Sequence, residues 1–169
     1  IAVSTIFINT FSPRAGGVIG AAVITRLQFG NTYVVQMLNV CLGGLVAVTA
    51  VPLAPSPLSA IFIGSIGGII VVFGTRLLFS LKIDDVVGAV PAHLFAGIWG
   101  TLAVPLTNGD ASFGAQLLGV ISINAFVFVV SLIVWGIMKG TMGIRLSKEA
   151  ERLGTDVTES GVIAYAIRD

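Results

Sequence analysis

The sequence predicts an all-α integral membrane protein with about five transmembrane helices, and three observations carry that expectation. The chain is 56% hydrophobic and only 10% charged, with a mean hydropathy of +1.03, whereas soluble domains carry roughly 25% charged residues. Between Arg26 and Arg76 there is no Lys, Arg, Asp or Glu, a stretch too long for one span of about 20 residues and suited to two joined by a loop. The basic residues also fall in alternate connections, as short cytoplasmic loops require.

The spans follow from the positions of the charges and of the Pro, Gly and Asn clusters. The first, residues 1–24, opens on Ile1 inside an apolar run without the basic flank of a signal peptide, so the chain is expected to be a piece of a longer protein. Within it, Ser12-Pro13-Arg14 places a guanidinium at membrane depth, where it needs a partner, a cavity or a route to the interface. The expectation for Arg14 is a bond to carbonyls or to a carboxylate between subunits, away from any conduction path. The remaining spans cover residues 33–51, 58–79, 86–106 and 113–138. Arg26 marks the first connection, Arg76 and Lys82 the third, and Lys139, Arg145, Lys148 and Arg152 the tail; PLAPSPLS and TNGDAS carry no basic residue. This pattern predicts a multi-pass protein of the cell membrane with its start outside and its C-terminus cytoplasmic, divided into a transmembrane region at 1–140 and a cytoplasmic tail at 141–169.

The lone cysteine, Cys41, offers neither an intrachain disulfide nor a cysteine metal site. No metal or cofactor is expected, and a net charge of +1 gives no footprint for nucleic acid. The 21 glycines cluster within the spans as GGVIG, CLGG and GSIGG, a composition that allows helices to approach closely in lipid, where apolar side chains gain little by associating.

The fourth span carries the only histidine. Gly88, Ala92, Ala96 and Gly100 recur every four residues as one smooth stripe expected to pack on another helix. Ala89, His93, Gly97 and Thr101 form the adjoining face, so Gly97 leaves space beside the imidazole. Pro91 has no backbone N–H, which frees the carbonyl of Val87 and permits irregular backbone two residues before the histidine. His93 reads either as a pathway residue for a small polar solute or as a neutral histidine bonding two helices together. Imidazole suits the first role because its neutral form has one donor and one acceptor nitrogen and its unperturbed pKa is about 6.5. Asp84 and Asp85, at the start of the span, are expected to cap the helix.

The segment DDVVGAVPAHLFAGIWGTL resembles the ammonium transporter family, the Amt, Mep and Rh proteins, in which an acidic pair precedes a histidine followed four residues later by glycine. Asp84, Asp85, His93 and Gly97 hold those positions here. FINT from Phe7 and GLVAVTA from Gly44 are similar to two further family segments, and the tail resembles the family's cytoplasmic extension through Gly154, Asp156 and Ala164-Tyr165. The resemblance covers nearly the whole chain in the family's order.

That resemblance implies the last five helices of an eleven-helix channel subunit, assembling as a homotrimer in the lipid bilayer and conducting ammonium or ammonia for nitrogen uptake through a narrow apolar pore. His93 matches the second of the family's two pore histidines, and the first has no counterpart in this sequence. Phe7 is placed by the resemblance in a phenylalanine gate near the outer entrance. A PII-type regulatory protein is the implied partner of the tail, although Ser160 and Val162 replace the family's more usual histidine and glutamate. The alternative reading is an ammonium-sensing receptor on the same fold. A receptor would be expected to carry a signalling module, and none is present up to Asp169. An intramembrane hydrolase using His93 is disfavoured because the sequence has no Gly-x-Ser-x-Gly elbow; no enzymatic activity is expected.

Overall fold

The structure, a computed structural model, describes residues 2–31 and 34–164, and every regular element among them is helical. Tyr33 and Tyr165 lie outside the described residues. The chain divides into two compact units, residues 1–123 and 124–169.

The first unit is built on three helices, α1 (Ala2–Phe29), α2 (Val34–Val46) and α3 (Pro57–Ser80), that pack on one another in all pairings. Helix α1 runs unbroken through Pro13 and includes Arg26, so it is longer than the apolar run that predicts it. Its hydroxyls are compatible with an apolar helix because they bond inward: Thr10, Ser12 and Thr25 each donate to the carbonyl four residues earlier, at 2.7, 2.8 and 2.8 Å. Helix α3 starts at Ser56, whose hydroxyl accepts from Ser59 N at 3.2 Å, followed by Pro57 in the first turn. It stops in a left-handed turn at Lys82, with φ 57°, where Ile83 N reaches Leu78 O and Lys82 N reaches Phe79 O. Glycine ordinarily takes that position; Lys82 holds it at a cost of about 1 kcal/mol.

The three helices meet at glycines. A Cβ on Gly44 would lie 2.5 Å from Pro13 O, one on Gly64 would lie 2.6 Å from the same oxygen, and one on Gly68 would lie 2.5 Å from Gly17 O. The crossing is therefore backbone against backbone, with the Pro13 ring fully buried at its centre. Around it the buried apolar residues are small: Ala21, Val40, Val71, Val72, Ala92 and Ala96 in one cluster, Ala47, Val48, Ala60, Ile63 and Ala103 in another. Buried polar side chains tie distant segments together. Asn9, wholly buried on α1, donates to Pro52 O at 2.9 Å and Pro55 O at 2.7 Å in the α2–α3 connection. Trp99 Nε1 donates to Ile63 O at 3.0 Å.

The fourth span is not one uniform helix. A π-helical turn, Val90–Phe95, leads into α4 (Ala96–Ala103) and ends in a tight 3-10 turn, Val104–Leu106. The expected start at Val86 is displaced, because Val86 and Val87 lie in a turn. Helix α5 (Phe113–Thr141) follows, crossing from the first unit into the second. Among the described residues, α3 and α5 are long and apolar enough to cross a membrane, and residues 36–46 and 90–106 form shorter apolar helices.

Beyond α5 the second unit holds two short helices, α6 (Lys148–Leu153) and α7 (Thr155–Thr158). Ser147 caps α6 by accepting from Ala150 N at 3.1 Å, and Arg145 grips Glu151 with two bonds at 2.7 and 3.2 Å. Both partners are exposed enough that this pair adds little stability.

Candidate functional site

The site grows from a loop. After the left-handed turn at Lys82 the chain passes through Asp84 and Asp85 to Gly88, then enters the π-helical turn that carries His93. The carboxylate of Asp85 accepts from Ala89 N and Val90 N, both at 2.9 Å, supplying acceptors for two otherwise unpaired N–H groups at the start of the helix. The capping expected of the acidic pair thus falls to Asp85 alone. Asp84 is exposed and makes no hydrogen bond among the described residues, because the turn that aims Asp85 at the helix leaves its neighbour facing outward.

Gly88 sits at φ 72°, and a Cβ there would collide with the side-chain amide of Asn39 on α2. That amide donates to Val87 O at 2.8 Å. The wide turn then closes when Ala96 N reaches back to Pro91 O, five residues earlier, and to His93 O. A π turn accommodates one more residue than an α turn and is found most often at functional sites.

The stripe Gly88, Ala92, Ala96 and Gly100 is buried, against α2 and α3, with Ala92 at 1% and Ala96 at 0% exposure. Ala89 and His93 are exposed on the adjoining face, with Gly97 and Thr101 half-buried beyond them. The His93 imidazole makes no hydrogen bond among the described residues. A Cβ on Gly97 would meet only Val46 Cγ1 at 3.7 Å, an ordinary contact, so close packing does not require glycine there. Pro91, by contrast, is fully buried under α3, where a Cβ on Gly74 would come within 3.2 Å of its ring.

Two adjoining cavities of about 610 and 650 Å³ open beside this loop. Thr75, Lys82, Asp84, Asp85 and Pro91 line one, and Gln36, Asn39, Arg76 and Val87 line the other. The cavities offer both donors and acceptors among mainly apolar walls, and His93 lines neither of them. Among the described residues no cluster of three or more His, Cys, Asp or Glu could hold a metal.

Phe7 stands outside this set. It lies on α1, 62% exposed, stacked on Phe11 with ring centroids 4.4 Å apart. Arg14 completes the row, its guanidinium carbon 4.6 Å from the centre of the Phe11 ring. The spacing of four and three residues puts all three on one helical face. Arg14 Nε is shielded from solvent and has no hydrogen-bond partner among the described residues. Within this chain the guanidinium lies over an aromatic face.

In the tail, Gly154 at φ 97° joins α6 to α7, and a Cβ there would lie 2.5 Å from Asp156 Oδ1. Asp156 Oδ2 accepts from Ala164 N at 2.9 Å, and Val162 N donates to Asp156 O at 3.0 Å. The glycine, the aspartate and the segment ending at Ala164 therefore form one closed loop, whereas Tyr165 falls outside the described residues. The Ala164 N–H holds the Asp156 carboxyl below its ordinary range. A carboxyl depressed in the folded loop stabilises it above the unfolded pKa of about 3.9 and loses that contribution as pH falls through the lower folded value. Protection of the Ala164 amide, relative to an unstructured peptide at the same pH, is accordingly expected at neutral pH and to be lost in strong acid. In an Asp156→Ala tail it should be absent at every pH.

Asn39, Asn9 and Phe11 escape detection from the sequence.

Among the described residues every regular element is helical, the crossings are lined by glycine and two helices are long and apolar enough to cross a membrane, the features of a helical membrane protein. The profile of the Ammonium Transporter Family matches residues 1–165, and the chain belongs to that family. It is 35% identical to the ammonium transporter Amt2 of Archaeoglobus fulgidus, over 96% of this chain and 39% of that protein. With the ammonium transporter of Bacillus subtilis the identity is 30%, over 94% of this chain and 43% of the other. A solved structure titled Sensor Amt Protein superposes with a TM-score of 0.88 at 27% identity, covering 95% of this chain and 42% of that one. The chain thus spans about two fifths of the length of these relatives.

Proposed function

We propose that this chain is the C-terminal part of an ammonium-conducting subunit in which His93 lines the path. The observation that carries this reading is the exposed imidazole on a π-helical turn, reached from a loop that borders two mainly apolar cavities. Ammonium and potassium carry the same charge and are similar in size, so selection must use ammonium's hydrogen bonds or its ability to lose a proton. A dry apolar path penalises any bare cation severely, while ammonia crosses with modest dehydration. An imidazole that both donates and accepts can hold such a solute without a lasting charge.

In this reading residues 1–140 supply the last five spans of the family's eleven-helix fold and residues 141–169 a cytoplasmic tail. Subunits associate as a homotrimer, and the loop closed by Gly154 and Asp156 offers a docking point for a PII-type protein. Phe7, at the outer end of the first span, belongs to the outer entrance. Single cysteines at Ser56 and Asn108 are then expected to react with an impermeant thiol reagent from outside, and one at Ser147 only after permeabilisation. The reverse labelling pattern would overturn the orientation.

The likeness to a structure titled as a sensor supports a second reading, an ammonium receptor on the same fold. Uptake by the whole protein in proteoliposomes separates the two. Selective flux that depends on His93 supports conduction, and ammonium binding without flux supports sensing.

A further inference from the structure

Residues 113–138 of α5 hold no ionisable side chain, a length of about 39 Å in a helix that nearly matches a bilayer with its headgroup regions, about 40–45 Å. Exposed Trp135 and Lys139 then fall at one interface, where aromatic and basic anchors gather. Gly143, at φ 74°, turns the chain just past the helix. Arg145 follows Lys139 by at most about 20 Å of chain.

Beyond this turn, Lys148 and Arg152 stand one turn apart on the same face of α6. Arg145 is matched by Glu151, whereas neither Lys148 nor Arg152 has an ion-pair partner among the described residues. Like charges at this spacing repel. Both side chains border two open cavities of the tail, one of about 880 Å³ shared with Arg145, Leu146 and Glu151, the other of about 500 Å³ shared with Glu149 and Leu153. An anionic oxygen between them would bond the Lys148 ammonium and the Arg152 guanidinium together and relieve the repulsion.

We propose that Lys148 and Arg152 hold the phosphate of an anionic phospholipid of the inner leaflet, docking α6 on the membrane surface. The proposal rests on the reading of this tail as cytoplasmic, since that leaflet carries the anionic lipids. A lipid fits better than a free phosphate, because Met142, Ile144 and Leu153 flank the basic residues along the chain and are exposed, and such side chains gain by entering the apolar side of the interface. A helix of six residues is too short to persist in water by itself. Docking would therefore order it.

The test places the whole protein in nanodiscs of phosphatidylcholine with or without phosphatidylglycerol. It reads amide exchange over residues 150–154, where Glu151 N bonds Ser147 O and Gly154 N bonds Ala150 O. Phosphatidylglycerol is expected to slow this exchange at least about fivefold, the preference that one basic residue gains near an anionic surface. Salt at about 1 M, where the Debye length is about 3 Å, should abolish the slowing. Lys148→Gln combined with Arg152→Gln should exchange alike in the two lipids. Lys148→Arg combined with Arg152→Lys keeps both charges and should respond as the wild type does. Equal wild-type rates in the two lipids, or slowing by phosphatidylglycerol that persists in the glutamine variant, overturns the proposal. Inorganic phosphate that slows exchange in neutral nanodiscs as much as phosphatidylglycerol does would make a free anion the ligand, and overturns it as well. Nanodiscs expose both leaflets, so a Ser147→Cys protein labelled from outside would remove the cytoplasmic reading without altering these rates.

Discussion

Alanine at position 93 is expected to lower selective ammonium flux to the background of empty vesicles while the protein remains assembled. The side chain is exposed and makes no hydrogen bond among the described residues, so its removal costs the fold little. The same removal leaves the path without its imidazole, and a solute that has shed water would lose both a donor and an acceptor there. Losing two such contacts to a desolvated solute is worth about 3 kcal/mol, or more than a hundredfold in rate. Proteoliposome uptake, with assembly checked by gel filtration in detergent, decides the matter. Wild-type flux in His93→Ala would sink the proposed function, whereas lost flux together with lost assembly would show that His93 holds helices together.

Valine at position 64 should have the opposite profile, acting on folding before it acts on transport. A Cβ at Gly64 would already lie 2.5 Å from Pro13 Cβ and 2.6 Å from Pro13 O, and both belong to a rigid ring and a helical backbone that cannot swing aside. Overpacking of this kind costs about 1–3 kcal/mol where a core can adjust, and two added methyls against backbone leave little scope for adjustment. Little correctly assembled protein is expected, with a lowered thermal midpoint in whatever remains. Gly109→Ala provides the control, because a Cβ there meets nothing within 4 Å. Equal yields and midpoints for Gly64→Val and Gly109→Ala would show that the α1–α3 crossing is not the close contact described.

Local periodicity made part of the site legible. A stripe repeating every four residues specified which face of the fourth span is buried, and Gly88, Ala92, Ala96 and Gly100 are buried. The acidic pair before the helix signalled a cap, and Asp85 provides it through backbone bonds spanning four and five residues. Pro91 announced irregular backbone, since a missing N–H is a property of the residue itself. None of these inferences needs a partner from far along the chain. The choice between Asp84 and Asp85 did require the turn geometry, because adjacent side chains in a loop point in different directions.

The sequence by itself determined the membrane class, the helical composition, the family and the position of the single histidine, because hydropathy, charge spacing and short motifs are read along the chain. Only the tertiary structure decided what each polar group inside the bundle bonds. Asn9 finds two proline carbonyls 43 and 46 residues away, Asn39 finds Val87 48 residues away, and Trp99 finds Ile63 36 residues away. The physical reason is the same throughout. A buried donor must be satisfied, but which acceptor satisfies it depends on helices approaching closely enough to bring that acceptor within about 3 Å, and that approach is set by the glycine crossings of the whole bundle.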